Sequence, residues 1–297
     1  MLLNTRIPLS YIFGKIRVEI IYTTAIWLVT YFLSHGYATV NPEIPVSVPA
    51  FIGTAISIIL SFKLNQSYDR WWEARKIWGS IVNESRSFVL QLQSLVNSAR
   101  RDDIKQIALR HVAWCFSLGQ SLRGLNASEN LEKYLSSVDL QAISNHRNKP
   151  LAILQLNAKH LTELRKNDAL DIRGQIHIHI VLSSFSNAMG MAERIKSTVF
   201  PTTYRLFLHW MIYLFIVVLS LALYEVDWYI EFPLLLAISS SFFLLEKAAT
   251  QLQDPFENTP TDTAMTTIAT NIEINIKQLL NESEIPQPLS PSTFYSL

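Results

Sequence analysis

NQSYDRWWEARKIWG, residues Asn65 to Gly79, comes just after an apolar run, FIGTAISIILSF, that ends at Phe62. The run suits lipid, whereas the stretch after it holds a tyrosine, three tryptophans and both signs of charge. No Gly or Pro interrupts it between Asn65 and Trp78. The simplest reading is one helix that passes out of a membrane into a helical body in water. Trp71, Trp72 and Tyr68 suit the interfacial belt, where an amphipathic ring keeps one edge wet. Asp69, Arg70, Glu73 and Arg75 include opposite charges at helical spacing, able to pair along the helix or across to another.

The whole chain agrees with a membrane reading. Its 297 residues are 49% hydrophobic and only 16% charged, which is poor in charge for a soluble domain. A net charge of +1 with no basic block argues against a nucleic-acid partner. The lone cysteine, Cys115, allows no intrachain disulfide and cannot build a cysteine-based zinc site by itself. It reads as a small packed residue.

Four apolar segments, at about 18–40, 46–62, 206–224 and 229–246, are near the length that about 30 Å of hydrocarbon demands of a helix. The first exceeds a secretory signal's apolar core and lacks a suitable small-residue cleavage site. The second and fourth are short and dotted with Ser, Thr, Gly or Pro, so they are expected to face protein or a watery path as well as lipid. The linkers after the first and third spans carry no Lys or Arg, while Arg6, Lys15, Arg17, Lys63, Arg70, Arg194 and Arg205 flank the opposite ends. The positive-inside rule then places both termini and the long middle segment in the cytosol of a multi-pass inner-membrane protein.

That middle segment, about 63–203, reads as helical throughout. Ile81, Phe88, Leu92 and Leu95 recur on one stripe, as do Ile104, Ile107, Leu109, Val112 and Phe116. LEKYLSSVDLQAISN and LAILQLNAKHLTEL are expected to be helices on either side of a turn, and a last helix to run from about Leu170 to Pro201. The C-terminal part, about 247–297, adds a helix with Ile268, Ile272, Ile276 and Leu279 on one face. Its Pro/Ser tail is expected to be loose or draped on a neighbour. The fold class is therefore all-α.

SFKLNQSYDRWWEARKIWG resembles a signature of the bestrophin family in its bacterial branch, through Asn65, Tyr68, Asp69, Arg70, Trp71, Glu73 and Arg75. QLQDPFENTPTD, with Asp254, Pro255 and Phe256, resembles the family's second signature, and NAMGMAERIKSTVFPTTY is similar to its approach to the third span. The similarity runs in the same order over nearly the whole chain. It implies one bestrophin-like domain over 1–297 and a homopentameric ion channel, not an enzyme, with lipid and small monovalent ions as its partners and no cofactor. Second spans would line a central pore, with an apolar neck in the membrane and another constriction at the cytosolic exit.

Stepping back from Arg70 by helical repeats reaches Phe62, Ile58 and Thr54 on one face, flanked by small residues that let helices approach. Rings of Phe62 and Ile58 would make an apolar collar that gates by dewetting or side-chain rotation. Thr54 stands where the family more often has an aliphatic residue, so the outermost ring is apolar or hydrated. For the second constriction the resemblance points to Ile172, with Ile176 next. His177 and His179 face different sides of a helix and lack carboxylate or cysteine neighbours, so no metal site is expected. Gln251, Asp254 and Asp262 match positions that hold calcium in eukaryotic bestrophins, but ENTPT replaces the dense acidic run, so no calcium clasp is expected. Glu43, Glu225, Asp227 and Glu231 in the outer linkers would give the mouth a negative field that gathers cations, so a weakly selective pore that favours monovalent cations is expected, with chloride the alternative. A membrane transporter or a non-conducting scaffold is the alternative reading, although no repeated halves are visible.

Overall fold

The computed structural model describes residues 8–36, 44–199, 201–290 and 295. Four of its helices are long and apolar enough to cross a membrane: α1 (Leu9–Gly36), α2 (Ser47–Leu95), α7 (Thr202–Ala222) and α8 (Trp228–Gln253). The others are α3 (Arg101–Leu122), α4 (Ser137–Ser144), α5 (Lys149–Lys166), α6 (Ile172–Ser197) and α9 (Met265–Leu279). The described residues form two compact units, divided within α2 after Arg70 and again after Thr198 and Asp254.

The first unit holds α1, α2 up to Arg70, α7 and α8. Its core is Ile16, Ile56, Leu60, Leu208, Ile212, Phe215, Ile216, Leu235 and Phe243. Gly53 lets α7 close on α2, since a Cβ there would meet Phe215 Cε2 at 3.1 Å. Gly53 is thus one of the small residues beside the Thr54, Ile58 and Phe62 face, and the approach it allows is to a helix of its own chain. α8 continues to Gln253, past the expected end near 246, because the charges at that point are paired: Glu246 with Lys63 and Lys247 with Glu19, each at 2.8 Å. α1 begins at Leu9, earlier than expected, and the end of its predicted span, 37–40, lies outside the described residues.

The second unit holds the rest of α2 with α3–α6 and α9. Gly79 does not end α2, because Ile77, Trp78 and Ile81 around it are all buried in this unit's core and hold the helix in place. Most of the predicted stripe residues point inward: Ile81, Phe88, Leu92, Ile104, Ile107, Val112, Ile272 and Ile276 are buried, while Leu95, Leu109, Phe116, Ile268 and Leu279 are half-buried. Cys115 is buried and packed, its Sγ 3.7 Å from His111 Nε2. LEKYLSSVDLQAISN is not one helix. A single 3-10 turn at Leu131–Lys133 precedes α4, and Ser136 starts the new helix by accepting the Asp139 backbone N–H at 3.1 Å. Asn148 and Asp171 cap α5 and α6 in the same way. α6 occupies the place predicted for a helix from about Leu170 to Pro201.

Candidate functional site

α2 has two faces in the first unit. Ile56, Leu60, Lys63 and Ser67 are buried, and their spacing marks one side of a 3.6-residue repeat. The other side is open and carries Phe51, Thr54, Ser57, Ile58, Ser61 and Phe62, with Ile58 54% and Phe62 63% exposed. Thr54 spends its hydroxyl proton on Ala50 O at 2.8 Å, and Ser57 does the same on Gly53 O. The three residues predicted for the neck therefore share one unpartnered helical face.

α6 presents a second apolar ledge. Ile172, Ile176 and Ile180 are all more than half exposed, one turn apart on one face. The ledge borders an open groove of about 490 Å³ lined by Gln175, Ile176, His179, Ile180, Ser183 and Ser184. Ile172 opens the helix, and Gly174 sets its angle. A Cβ at Gly174 would lie 2.6 Å from Asp171 Oδ1, 2.9 Å from Leu170 Cδ1 and 3.3 Å from Leu95 Cβ. His177 is exposed and His179 half-buried, and among the described residues no three His, Cys, Asp or Glu side chains gather as metal ligands.

The signature residues tie helices together. In the first unit Arg70 reaches Asp254, the residue that ends α8, at 3.5 Å. In the second, Trp71 Nε1 donates to Thr261 O at 2.9 Å, and Arg194 pairs with Glu73 at 2.7 Å. Of the two pairings open to these charges, the one across to another helix is realised. Trp71 is a joint to the second signature as well as an aromatic ring stacked on Trp72. Tyr68 and Trp72 are about half exposed, Asn65 and Asp69 are exposed, and Arg75 lies alongside Gly79. Pro255 O accepts the Thr263 N–H at 3.2 Å, so the chain turns back after α8, and Phe256 is buried in the second core.

The three positions matched to calcium ligands have other partners. Gln251 accepts from Lys15, Asp254 faces Arg70, and Asp262 accepts from Thr259. Burial raises the Asp262 carboxyl above its ordinary range.

One of the four outer acids is withdrawn from the rim expected of them. Glu231 is 2% exposed and accepts from Ser220 Oγ at 2.9 Å. Glu225 and Asp227 are exposed and accept from Tyr224 and Tyr229, while Glu43 lies outside the described residues. Sequence reading also missed a cluster inside the spans. Lys63, fully buried, donates to Glu246 Oε1 at 2.8 Å and to Thr250 Oγ1 at 2.9 Å, with His209 Nδ1 3.8 Å from Glu246 Oε2. The signal was present in the charges at the ends of apolar runs, Lys63 just after the second, where it read as a flank, and Glu246 as the last residue of the fourth.

An all-α membrane protein with four spans, a long second helix and two signature segments tied to one another is the class that fold and site define. The chain belongs to the bacterial and fungal bestrophin family, whose sequence pattern it matches over residues 2–278. It is 29% identical to the voltage-dependent anion channel-forming protein YneE of Escherichia coli K12, covering 97% of this chain and 93% of that one. A voltage-dependent anion channel-forming protein of Ralstonia nicotianae is 27% identical over 82% of this chain and 80% of its own. The crystal structure of a bacterial bestrophin homologue from Klebsiella pneumoniae superposes with a TM-score of 0.85 at 25% identity, covering 91% of this chain and all of that one.

Proposed function

We propose that this chain is the subunit of a homopentameric ion channel, with the open face of α2 lining the pore and Thr54, Ile58 and Phe62 forming its neck. The observation that carries this reading is that face itself. One side of a membrane helix packs on its own chain, while the opposite side holds a row of exposed residues ending in Phe62. Ile172, with Ile176 a turn behind, forms a second constriction on the same ion path, and both units of 1–297 serve as one channel domain. The protein lies in the inner membrane, with both termini and the second unit in the cytosol, as the positive flanks suggest.

The permeant ions are small and monovalent, and anions are favoured over the cations expected from the linkers. The relatives' names point to anions. The linker argument for cations also weakens with Glu231 buried. The first turn of α2 carries no acid, so the positive end of its dipole would face the outer mouth.

Purified protein in a planar bilayer tests the reading. In asymmetric KCl the reversal potential is expected to lie toward the chloride equilibrium potential. A value toward that of potassium would overturn the anion preference, and silent bilayers containing intact oligomers would favour a transporter or scaffold.

A further inference from the structure

The turn of α2 that carries Phe62 is tethered by polar contacts on its other side. Tyr204 of α7 donates its hydroxyl to Ile59 O at 3.1 Å. Four residues on, Lys63 is fully buried, and its ammonium donates to Glu246 Oε1 and Thr250 Oγ1 of α8 at 2.8 and 2.9 Å. Thr250 in turn donates to the same carboxylate oxygen at 3.0 Å, so the two α8 groups form one acceptor site for the lysine. His209 of α7 stands 3.8 Å from the carboxylate's other oxygen.

Stability does not explain a lysine in this place. A buried ion pair costs desolvation that its attraction barely repays, and an apolar pair of similar volume usually serves as well. Direction is what the pair adds. Apolar packing tolerates small rotations of a helix, whereas a charged hydrogen-bond donor held by two acceptors does not. Adjacent residues on a helix are about 100° apart, so fixing Lys63 inward fixes where Phe62 points.

We propose that Lys63, held by Glu246 and Thr250, is the positioning residue of the neck: it sets the rotation of α2 and so the aim of Phe62 into the pore. This rests on the neck reading above. It also gives a route by which a shift of α8 would be felt at the neck, because the acceptors belong to α8.

Single-channel conductance of five variants tests it. Lys63→Met is expected to change conductance by about twofold or more in the native background and to have no further effect once Phe62→Ala is present, since contacting residues couple and independent ones add. Lys63→Met alone strands a buried carboxylate and can fail to assemble. The paired variant Lys63→Met with Glu246→Leu removes both charges, and Thr250→Val removes one acceptor. Both are expected to form oligomers of native size, the pair reproducing the conductance change and Thr250→Val giving a smaller one of the same sign. Native conductance in the assembled paired variant overturns the proposal, as does an equal change with and without Phe62. If Phe62→Ala alone leaves conductance unchanged, the neck reading fails and takes this proposal with it. A Phe62→Ala effect to which the lysine effect simply adds overturns the positioning role alone.

Discussion

At the residue scale, the physical state of a side chain follows from what surrounds it. Ile58 and Phe62 are apolar groups left without cover on a helix whose other face is packed. Replacing both with Ala widens and hydrates the ring they would form, so single-channel conductance is expected to rise severalfold with assembly intact. Unchanged current through intact oligomers would remove these residues from the neck. His111 makes a different prediction, because it lies in the core of the second unit, where burial lowers its imidazole to about 3. The folded chain keeps it neutral, while the unfolded chain takes up a proton below about pH 6.5. Its contribution to stability is therefore complete above that pH and declines as pH falls toward the folded value, by at most about 1.4 kcal/mol per pH unit. Asp139 also loses stabilising contacts in acid, since burial opposes its charged form but the hydrogen bonds and charge of Arg110 prevail and hold its carboxyl below the ordinary range. That loss begins only below about pH 4, so between pH 7 and 5 the carboxylate drops out, and comparison with His111→Asn separates this histidine from the other six. Thermal unfolding in detergent is expected to be less stable at pH 5 than at pH 7, and His111→Asn to reduce that difference. Equal slopes in the two proteins would show that His111 titrates alike in both states.

At the element scale, helix ends and close approaches set where the apolar ledges point. Gly174 allows the first turn of α6 to sit against Leu170 and Leu95, with Asp171 capping it at 2.8 Å. Ala at this site would force atoms now 2.6 to 3.3 Å from the added carbon to shift, at a cost of about 1–3 kcal/mol. Gly174→Ala is therefore expected to lower the unfolding temperature and also to alter conduction, because Ile172 lies on the displaced turn. A lower unfolding temperature with native current would uncouple Ile172 from the ion path. Ile172→Ala tests the ledge directly, with a change in current expected at native stability since the side chain is 56% exposed. Should only Ile176→Ala change the current, the constriction sits one turn further along α6.

At the scale of the whole molecule, one exposed face of a helix becomes a pore wall only when copies surround an axis. Mass measured on the detergent-solubilised protein is expected to correspond to five chains, and any other closed ring would change the neck radius and the reading with it. Channel activity is expected to survive a strong chelator. Gln251, Asp254 and Asp262 already have partners in their own chain, and Asp262 is buried with its carboxyl raised. Current that disappears on chelation and returns with calcium would reveal ligands outside this set.

The four spans, the helical body and the stripes through Ile81, Phe88 and Leu92 were legible in the sequence, because hydropathy and helical period depend on local order alone. So was the Thr54, Ile58 and Phe62 face, since residues four apart share a side of any helix. What period cannot tell is which side of α2 is covered, and that depended on Ile56, Leu60 and Lys63 meeting α7 and α8. Polar partnership was equally hidden. Trp71 read as an interfacial ring and Glu231 as a rim charge, yet one donates to Thr261 O and the other is buried against Ser220, contacts across separations of 190 and 11 residues. Lys63 looked like the flanking charge of one span and Glu246 like the last residue of another until folding set them 2.8 Å apart. A sequence records where charges occur along the chain, but their energy depends on distance and burial, which exist only once the helices pack.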